Sequence, residues 1–292
     1  LVRTETGHQY MIRVTKRILQ NKHINLETFK LEDTELSIQL SLDGLSFCIY
    51  DGLSDERILI EHHQLENGQL SPEKHLDSIR EIIEEHENLK GPFRSVKVVH
   101  SNNLITQVPK PLFDKNKLQD YLKYSVKLLD NDFISFDLIE NNEIVNVYIP
   151  FVNINNFLIE KYGSFMYKHS STVLIEKLLA HSKNVEGSHV YVNVNGADFE
   201  VIVIRNKKLV LYNRFDFKTK EDFIYYILFI AEQLSLNPEE MNLILLGEIE
   251  KKSELYDIAY QYVRTIQFLE PVSYPSILKN LPAHSYFVLL NL

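Results

Sequence analysis

Three groups of residues in this chain have types that do chemistry: histidines near a carboxylate, a histidine beside serines, and acids or amides next to glycine in a repeated turn. Glu61-His62-His63 has the composition of a metal cluster. Neighbouring strand residues point to opposite faces, so His62 and His63 cannot share one ion while the strand continues. His75 and His86 fall on one expected helix but about three turns, roughly 16 Å, apart, too far for a single metal. His169-Ser170-Ser171 offers a base beside two hydroxyls. No glycine elbow surrounds these serines, and capping of the helix that follows explains them. Two-metal nuclease chemistry needs several converging carboxylates, yet Asp43 is the only acid on the first expected strand pair. There is no Walker loop, no zinc-spaced Cys/His set and no dinucleotide glycine fingerprint. The expectation is no metal site and no assigned catalytic residue.

The turn candidates belong to an internal repeat. Ile38-Gln39-Leu40-Ser41-Leu42-Asp43-Gly44-Leu45-Ser46-Phe47-Cys48-Ile49 is echoed by Val190-Tyr191-Val192-Asn193-Val194-Asn195-Gly196-Ala197-Asp198-Phe199-Glu200-Val201 at a shift of 152 residues. Each copy reads as strand, turn, strand. Asp-Gly and Asn-Gly favour a two-residue type I′ hairpin, which needs positive φ at both central positions. Such a turn leaves few free amides for phosphate.

The elements around them can be read from periodicity. Residues 36–65 read as three strands, then Ser71 caps a helix that has Pro72 at its first position. Leu76, Ile79, Ile82 and Ile83 stripe that helix, and Val96, Val98 and Val99 mark a fourth strand. In the second copy, strands over about 189–195, 197–204 and 207–216 precede a helix over 220–235 capped by Thr219. A strand over 242–247 follows, then a helix carrying Leu255, Ile258 and Ala259. Between the copies, Asp114 caps an expected helix, and 133–139 with 143–150 form a hairpin. Asn153 caps a short helix ending at Gly163, 165–168 is a strand, and Ser170 or Ser171 caps a further helix to about Ala180. The expected organisation is a poorly defined leader over 1–35, a first domain over 36–187 with an inserted α/β block at about 101–150, and a second domain over 188–292.

Composition narrows the function classes. The 292 residues are 45% hydrophobic and 24% charged, which is ordinary for globular protein. A net charge of −9 offers no basic surface for nucleic acid. The exception is the first 30 residues, where Arg13, Lys16, Arg17 and Lys22 lie among Met11, Ile12, Val14, Ile18 and Leu19. A basic amphipathic segment of this kind suits a membrane surface or a partner, and equally a loose leader. Nine glycines are few for an enzyme that cradles phosphate on backbone amides. Cys48 is the only cysteine, so no intrachain disulfide forms, and its strand position reads as a small buried hydrophobe. No run approaches the about 18 apolar residues of a membrane span, and no signal-peptide pattern occurs. A soluble, cytoplasmic protein is expected.

Three strands in a meander, a helix and a further strand, given twice, is the order of the ribonuclease-H-like fold. Two such domains in tandem make the actin, hexokinase and heat-shock-chaperone architecture. The run Glu143-Ile-Val-Asn-Val-Tyr-Ile-Pro150, a short helix to Gly163, a strand and a Ser-capped helix resemble the end of the first domain in actin-like proteins of type IV pilus and type II secretion assembly. In closer detail the chain is similar to a bacterial family, domain-of-unknown-function family 3822. The motifs that carry this are Leu45-Ser46-Phe47-Cys48, Val147-Tyr-Ile-Pro-Phe-Val-Asn-Ile-Asn-Asn156, Tyr167-Lys-His-Ser-Ser171 and Lys220-Glu-Asp-Phe-Ile-Tyr-Tyr-Ile-Leu228. The resemblance spans roughly residues 36–292 and implies a fold without an activity.

The superfamily resemblance implies where a nucleotide would sit. In active actin-like proteins ATP lies between the domains, gripped by Asp-x-Gly loops of each first hairpin, with Mg²⁺ ordered by the aspartates. A glycine pair after the second domain's fourth strand makes room for adenosine. Here the matching positions are Asp43-Gly44, Asn195-Gly196 and Gly247, with Asp198 as a further carboxylate. All depart from the pattern. Asp43 is followed directly by Gly44, Asn195 carries no charge, and Glu248 stands where a second glycine should be. Asp198 alternates with Phe199, which suits a solvent-facing strand position. The expectation is a non-catalytic interaction scaffold with an unidentified protein partner and no cofactor. The alternative is a divergent ATPase or kinase binding ATP and Mg²⁺ through Asp43, Gly44, Asn195, Gly196, Asp198 and Gly247. Finally, Phe223 to Ala231 is apolar on every side of its helix. A helix sandwiched between the two domains is expected there, and a partner surface is the rival reading.

Overall fold

The structure is a computed structural model that describes residues 14–21, 30–51, 56–65, 71–129, 132–139, 142–184, 186–270, 282 and 284–292. In the first half, β2 (Thr34–Ser41), β3 (Gly44–Asp51) and β4 (Glu56–Leu65) form an antiparallel meander. Helix α1 (Pro72–Glu85) starts where Ser71 accepts the Lys74 N–H at 3.4 Å, and β5 (Ser95–Ser101) returns parallel to β2. The second half repeats this with β10 (Ser188–Asn195), β11 (Asp198–Arg205), β12 (Lys208–Asp216), α5 (Lys220–Gln233) and β13 (Asn242–Gly247). Thr219 and Asp222 form a reciprocal capping box at the start of α5. Further parallel strands, β9 (Met166–His169) and β14 (Thr265–Phe268), complete the two sheets. The strand orders are β4-β3-β2-β5-β9 and β12-β11-β10-β13-β14, the same in both halves.

The stretch expected to be a leader contributes a strand. Here β1 (Val14–Asn21) pairs antiparallel with β4 and extends the first sheet. Its Lys16 and Arg17 fit an edge strand, where charge discourages further pairing. Arg13, Lys22, Met11 and Ile12 lie outside the described residues.

Between β5 and the end of the first half, β6 (Ile105–Pro109), β7 (Ser135–Ile139) and β8 (Ile144–Tyr148) form a small sheet. Asp114 caps a 3-10 turn, not a long helix, and α2 spans only Leu118–Leu122. Two other caps differ from expectation. Helix α3 (Val152–Tyr162) begins at Phe151, and Asn153 lies inside it, donating to the Pro72 carbonyl at 3.3 Å. Helix α4 (Ser170–His181) is capped by His169, whose Nδ1 accepts from the Ser171 N–H at 3.2 Å.

The apolar residues sort into layers. On the outer face of the first sheet, Leu36, Ile38, Leu40, Phe47 and Val98 pack under α1 and α3. On the outer face of the second, Val190, Val192, Val201 and Leu245 pack under α5 and α6 (Glu254–Tyr262). The helix between the two sheets is α4, not α5. Its Val173, Leu174, Ile175 and Leu178 share one core with Val99 of the first sheet and Tyr191, Ile202 and Ile244 of the second. Helix α5 buries Phe223, Ile224, Ile227, Ile230 and Ala231 but leaves Tyr225 and Phe229 exposed, stacked on one another. An all-apolar helix is therefore half outward here, because the sheet covers one face and no described residue buries Tyr225 or Phe229 on the other.

This arrangement sets an expectation for α5. Ile227→Ala should lower stability by about 2–5 kcal/mol, as for other buried truncations. Tyr225→Ser should change it by no more than about 0.5 kcal/mol. Urea melts of the two variants check the contrast, and equal losses would mean the outer face is covered.

The hairpin turns also fall differently. Ser41 pairs with Gly44, so the first turn is Leu42-Asp43; Asn195 pairs with Asp198, so the second is Gly196-Ala197. The halves therefore superpose at an offset of 154 residues, with Gly44 matched by Asp198 rather than by Gly196. Gly44 is required by space, since a Cβ there would sit 2.3 Å from the His63 carbonyl oxygen on β4. Positive φ at both central positions occurs instead at Asn206-Lys207, between β11 and β12.

Candidate functional site

Both sheets turn polar on their inner faces at the hairpin end, and this builds a cleft. From the first sheet come Gln39, Ser41, Asp43, Ser46 and His62; from the second come Asn193, Asn195, Asp198 and Arg214. The two turns face one another, with an Asp43 carboxylate oxygen 3.9 Å from where a Gly196 Cβ would lie. Asp43 accepts the Ser41 hydroxyl at 2.5 Å, and Ser46 and His62 meet at 2.9 Å across paired strands. His75, from α1, donates through Nε2 to the Ser41 carbonyl at 3.0 Å and ties the hairpin to its helix.

The second sheet contributes a ladder of charge. Asn193, Glu200 and Arg214 lie opposite one another on β10, β11 and β12. Glu200 accepts from Asn193 at 2.8 Å, from Asn195 at 3.4 Å and from the Tyr212 hydroxyl at 2.7 Å. Arg214 donates to Asp198 at 2.6 Å and to the Asn102 carbonyl at 3.2 Å. Asp198 thus faces the cleft and an ion pair, not solvent. Burial pushes its carboxyl above the usual range while Arg214 pulls it back. Burial works against the Arg214 cation, but Glu200 and Asp198 outweigh it and hold its pKa above the ordinary value. Sequence reasoning passed over Arg214. The signal was two acids, Asp198 and Glu200, on one face of an otherwise apolar strand, which demands a cation on the neighbouring strand.

Gly247 ends β13 against the second turn. A Cβ there would lie 2.2 Å from the Val194 carbonyl oxygen, and its φ is +84°. Its N–H donates to the His284 carbonyl at 2.9 Å, and Ser285 donates to its carbonyl at 3.4 Å. The position matched to an adenosine loop is therefore covered by the chain itself. His284 stacks on Phe268 with centroids 4.3 Å apart, and its Nε2 donates to the Ile249 carbonyl at 2.7 Å. From this anchor Tyr286 adopts φ +56° and leads into α7 (Phe287–Leu290). Tyr286, Phe287 and Val288 line the cleft, while Leu289 packs on Cys48 and Ile60 of the first sheet. The space left is about 70 Å³, against roughly 300–1,000 Å³ for typical small-molecule pockets.

The structure does bring His169 and Ser171 together, with Nδ1 and Oγ 2.8 Å apart. Nε2 donates to the Asn102 carbonyl at 3.1 Å, which leaves Nδ1 as acceptor. Both side chains are fully buried at the start of α4. Burial, reinforced by the Arg214 charge, lowers the His169 pKa to about 3. The pair is a helix cap with no room for a substrate.

The Glu61-His62-His63 run divides as strand geometry requires. His62 faces the cleft. Glu61 and His63 face outward under α1, where His86, the residue ending that helix, joins them. The sequence shows Glu61 beside His63 but places His86 with His75 on the helix; only the fold brings His86 to Glu61 and His63, which share one side of β4.

Two sheets of one strand order, facing each other across a polar cleft lined by their first hairpins, define a two-domain protein of the actin-like ATPase fold. Each domain is ribonuclease-H-like. The chain belongs to the family "Protein of unknown function (DUF3822)", whose model matches residues 23–266. It is similar to a Bacteroides thetaiotaomicron protein with actin-like ATPase fold and unknown function. That crystal structure has a TM-score of 0.74 and 23% identity, covering 84% of this chain and 93% of that one. It is also similar to a chain of the PilM–PilN type IV pilus biogenesis complex, with a TM-score of 0.53 and 13% identity over 81% and 88% of the two chains. No curated protein matches the sequence. Among the described residues, no helix is long and apolar enough to cross a membrane.

Proposed function

We propose that this protein is a non-catalytic actin-like interaction scaffold whose interdomain cleft is filled by its own chain instead of a nucleotide. The observation that carries this reading is the seating of residues 284–288 on Gly247 and between the sheets, with about 70 Å³ left open. The charges in the cleft support it as well. Arg214 is already engaged by Asp198 and the Asn102 carbonyl, and Glu200 is held by three donors. With Arg214 and Glu200 held in this way the network orders the fold and leaves a ligand chiefly the second oxygen of Asp198, which has no hydrogen-bond partner among the described residues. The partner is proposed to be a protein. A net charge of −9 disfavours nucleic acid, and one structurally similar protein is part of the PilM–PilN complex.

One observation favours a second reading. Asp43 and Asp198 line the cleft from opposite domains, so displacement of residues 284–288 would leave two carboxylates for ATP–Mg²⁺. Thermal melting in millimolar ATP–Mg²⁺ separates the two. Ligand at a hundredfold excess over Kd stabilises by about 2.7 kcal/mol. The scaffold reading expects no shift. An upward shift abolished by Asp43→Ala would replace it with the ATPase reading.

A further inference from the structure

We propose that Glu61, His63 and His86 form a buried site for one Zn²⁺ ion that fastens the end of α1 to the outer face of the first sheet. One carboxylate oxygen of Glu61 lies 3.3 Å from His63 Nε2 and 2.9 Å from His86 Nε2. One ligand atom from each residue lies within 4.8 Å of the other two. Zinc bonds of about 2.0–2.2 Å to nitrogen and oxygen give a tetrahedral edge of about 3.4 Å. The three atoms therefore stand close to the corners of a coordination face, needing shifts of no more than about an ångström.

The surroundings suit a metal better than an ordinary hydrogen-bonded cluster. Glu61 and His63 side chains are 2% and 7% exposed. His63 Nε2 is buried and has no well-formed hydrogen bond, because its approach to Glu61 misses the required geometry. A coordinated ion would occupy that nitrogen's lone pair. Phe47 holds both rings, stacking on His63 at 6.0 Å and meeting His86 edge-on at 5.0 Å. Such an apolar wall fixes ring orientation and limits water. His86, at the helix end and 10% exposed, is the rim through which an ion would enter, with water as the fourth ligand. Two imidazoles and a carboxylate favour zinc over Mg²⁺ and Ca²⁺, which prefer oxygen.

The site lies on the opposite face of the sheet from the cleft, so it stands or falls apart from the scaffold reading. The test titrates chelator-stripped full chain with Zn²⁺ by calorimetry and with Co²⁺ by visible absorption. The expected result is one ion per chain, visible bands of four-coordinate Co²⁺, and a higher melting temperature with Zn²⁺. His86→Gln should weaken binding by about 100-fold or more, beyond the loss typical of outer-shell changes. His181→Gln, on α4, should leave it unchanged. No uptake by the parent chain, or equal uptake by His86→Gln, overturns the proposal. Should His86→Gln fail to fold, the Co²⁺ spectrum of the parent chain decides, and absence of the bands overturns the proposal equally.

Discussion

Deleting residues 284–292 is expected to cost at least about 5 kcal/mol and to open the cleft. A four-residue helix has no stability of its own, so α7 is held by what it buries. Phe287, Val288 and Leu289 are nearly inaccessible, and burying each such side chain contributes about 1.5–3 kcal/mol. Their removal also exposes the partners they cover, from Cys48 and Ile60 to α4. The His284 contacts to Ile249 and Gly247 go with them. Denaturant unfolding measures the loss. A change below about 1 kcal/mol would mean the segment is not seated between the sheets. The same truncated chain, melted with ATP–Mg²⁺, gives the nucleotide reading its best chance.

Acid is expected to destabilise the protein steeply between about pH 6.5 and pH 4. His100 and His169 are both fully buried. Burial lowers the His100 pKa to about 4, and burial with the Arg214 charge lowers that of His169 to about 3, from an ordinary 6.5. Below pH 6.5 the unfolded chain takes up protons that the folded chain refuses. Stability therefore falls as pH falls, until the folded-state values are reached. Each histidine contributes about 1.4 kcal/mol per pH unit, so the pair gives a slope near 2.7. Asp137 and Asp198 act in the other direction. Burial raises both carboxyls, so each favours the folded state in acid, and that contribution is lost as pH rises. They flatten the acid end of the curve and leave the region near pH 6 to the histidines. Urea midpoints at pH 7, 6 and 5 measure the slope. His100→Asn, which keeps an acceptor for the Phe151 N–H, should remove about half of it. A flat profile would show that these imidazoles are reached by water.

Much of the architecture could be read from the residues because local signals and packing agree. Alternation in 36–42 and 190–194 places the same faces inward that the sheets bury, and Ser71-Pro72 and Thr219 start helices as capping chemistry requires. The turn positions could not be read the same way. Strand register is set by close approach to the next strand, as Gly44 under the His63 carbonyl illustrates, and this overrides the preference of Asp-Gly for the two central turn positions. Helix burial misled for a related reason. The continuous apolar run of α5 says how much surface is greasy, not which sheet face it meets. Nothing in the sequence singled out α4 as the shared helix; its Glu176 turns aside to bond Lys168 at 2.8 Å and leaves the apolar residues free to meet both sheets. Asp43, Asn195, Asp198 and Gly247 were legible one by one, but Arg214 was not. Their closure by residues distant in sequence, and the meeting of His86 with Glu61 and His63, depend on tertiary contacts that no local pattern carries.

Helix α4 belongs by sequence to the first half, yet it contacts β5, β9 and β7 on one side and β12 on the other. Its apolar residues are finished only when both sheets are present. A cut near residue 187 would therefore not yield two independent folding units. The upstream fragment would carry Val173, Ile175 and Leu178 uncovered, and the downstream fragment would expose Tyr191, Ile202 and Ile244, two sticky surfaces that complement each other. Coexpressed fragments should reassemble far better than either survives alone, and a ligand that pried the halves apart would have to peel this keel from one of them.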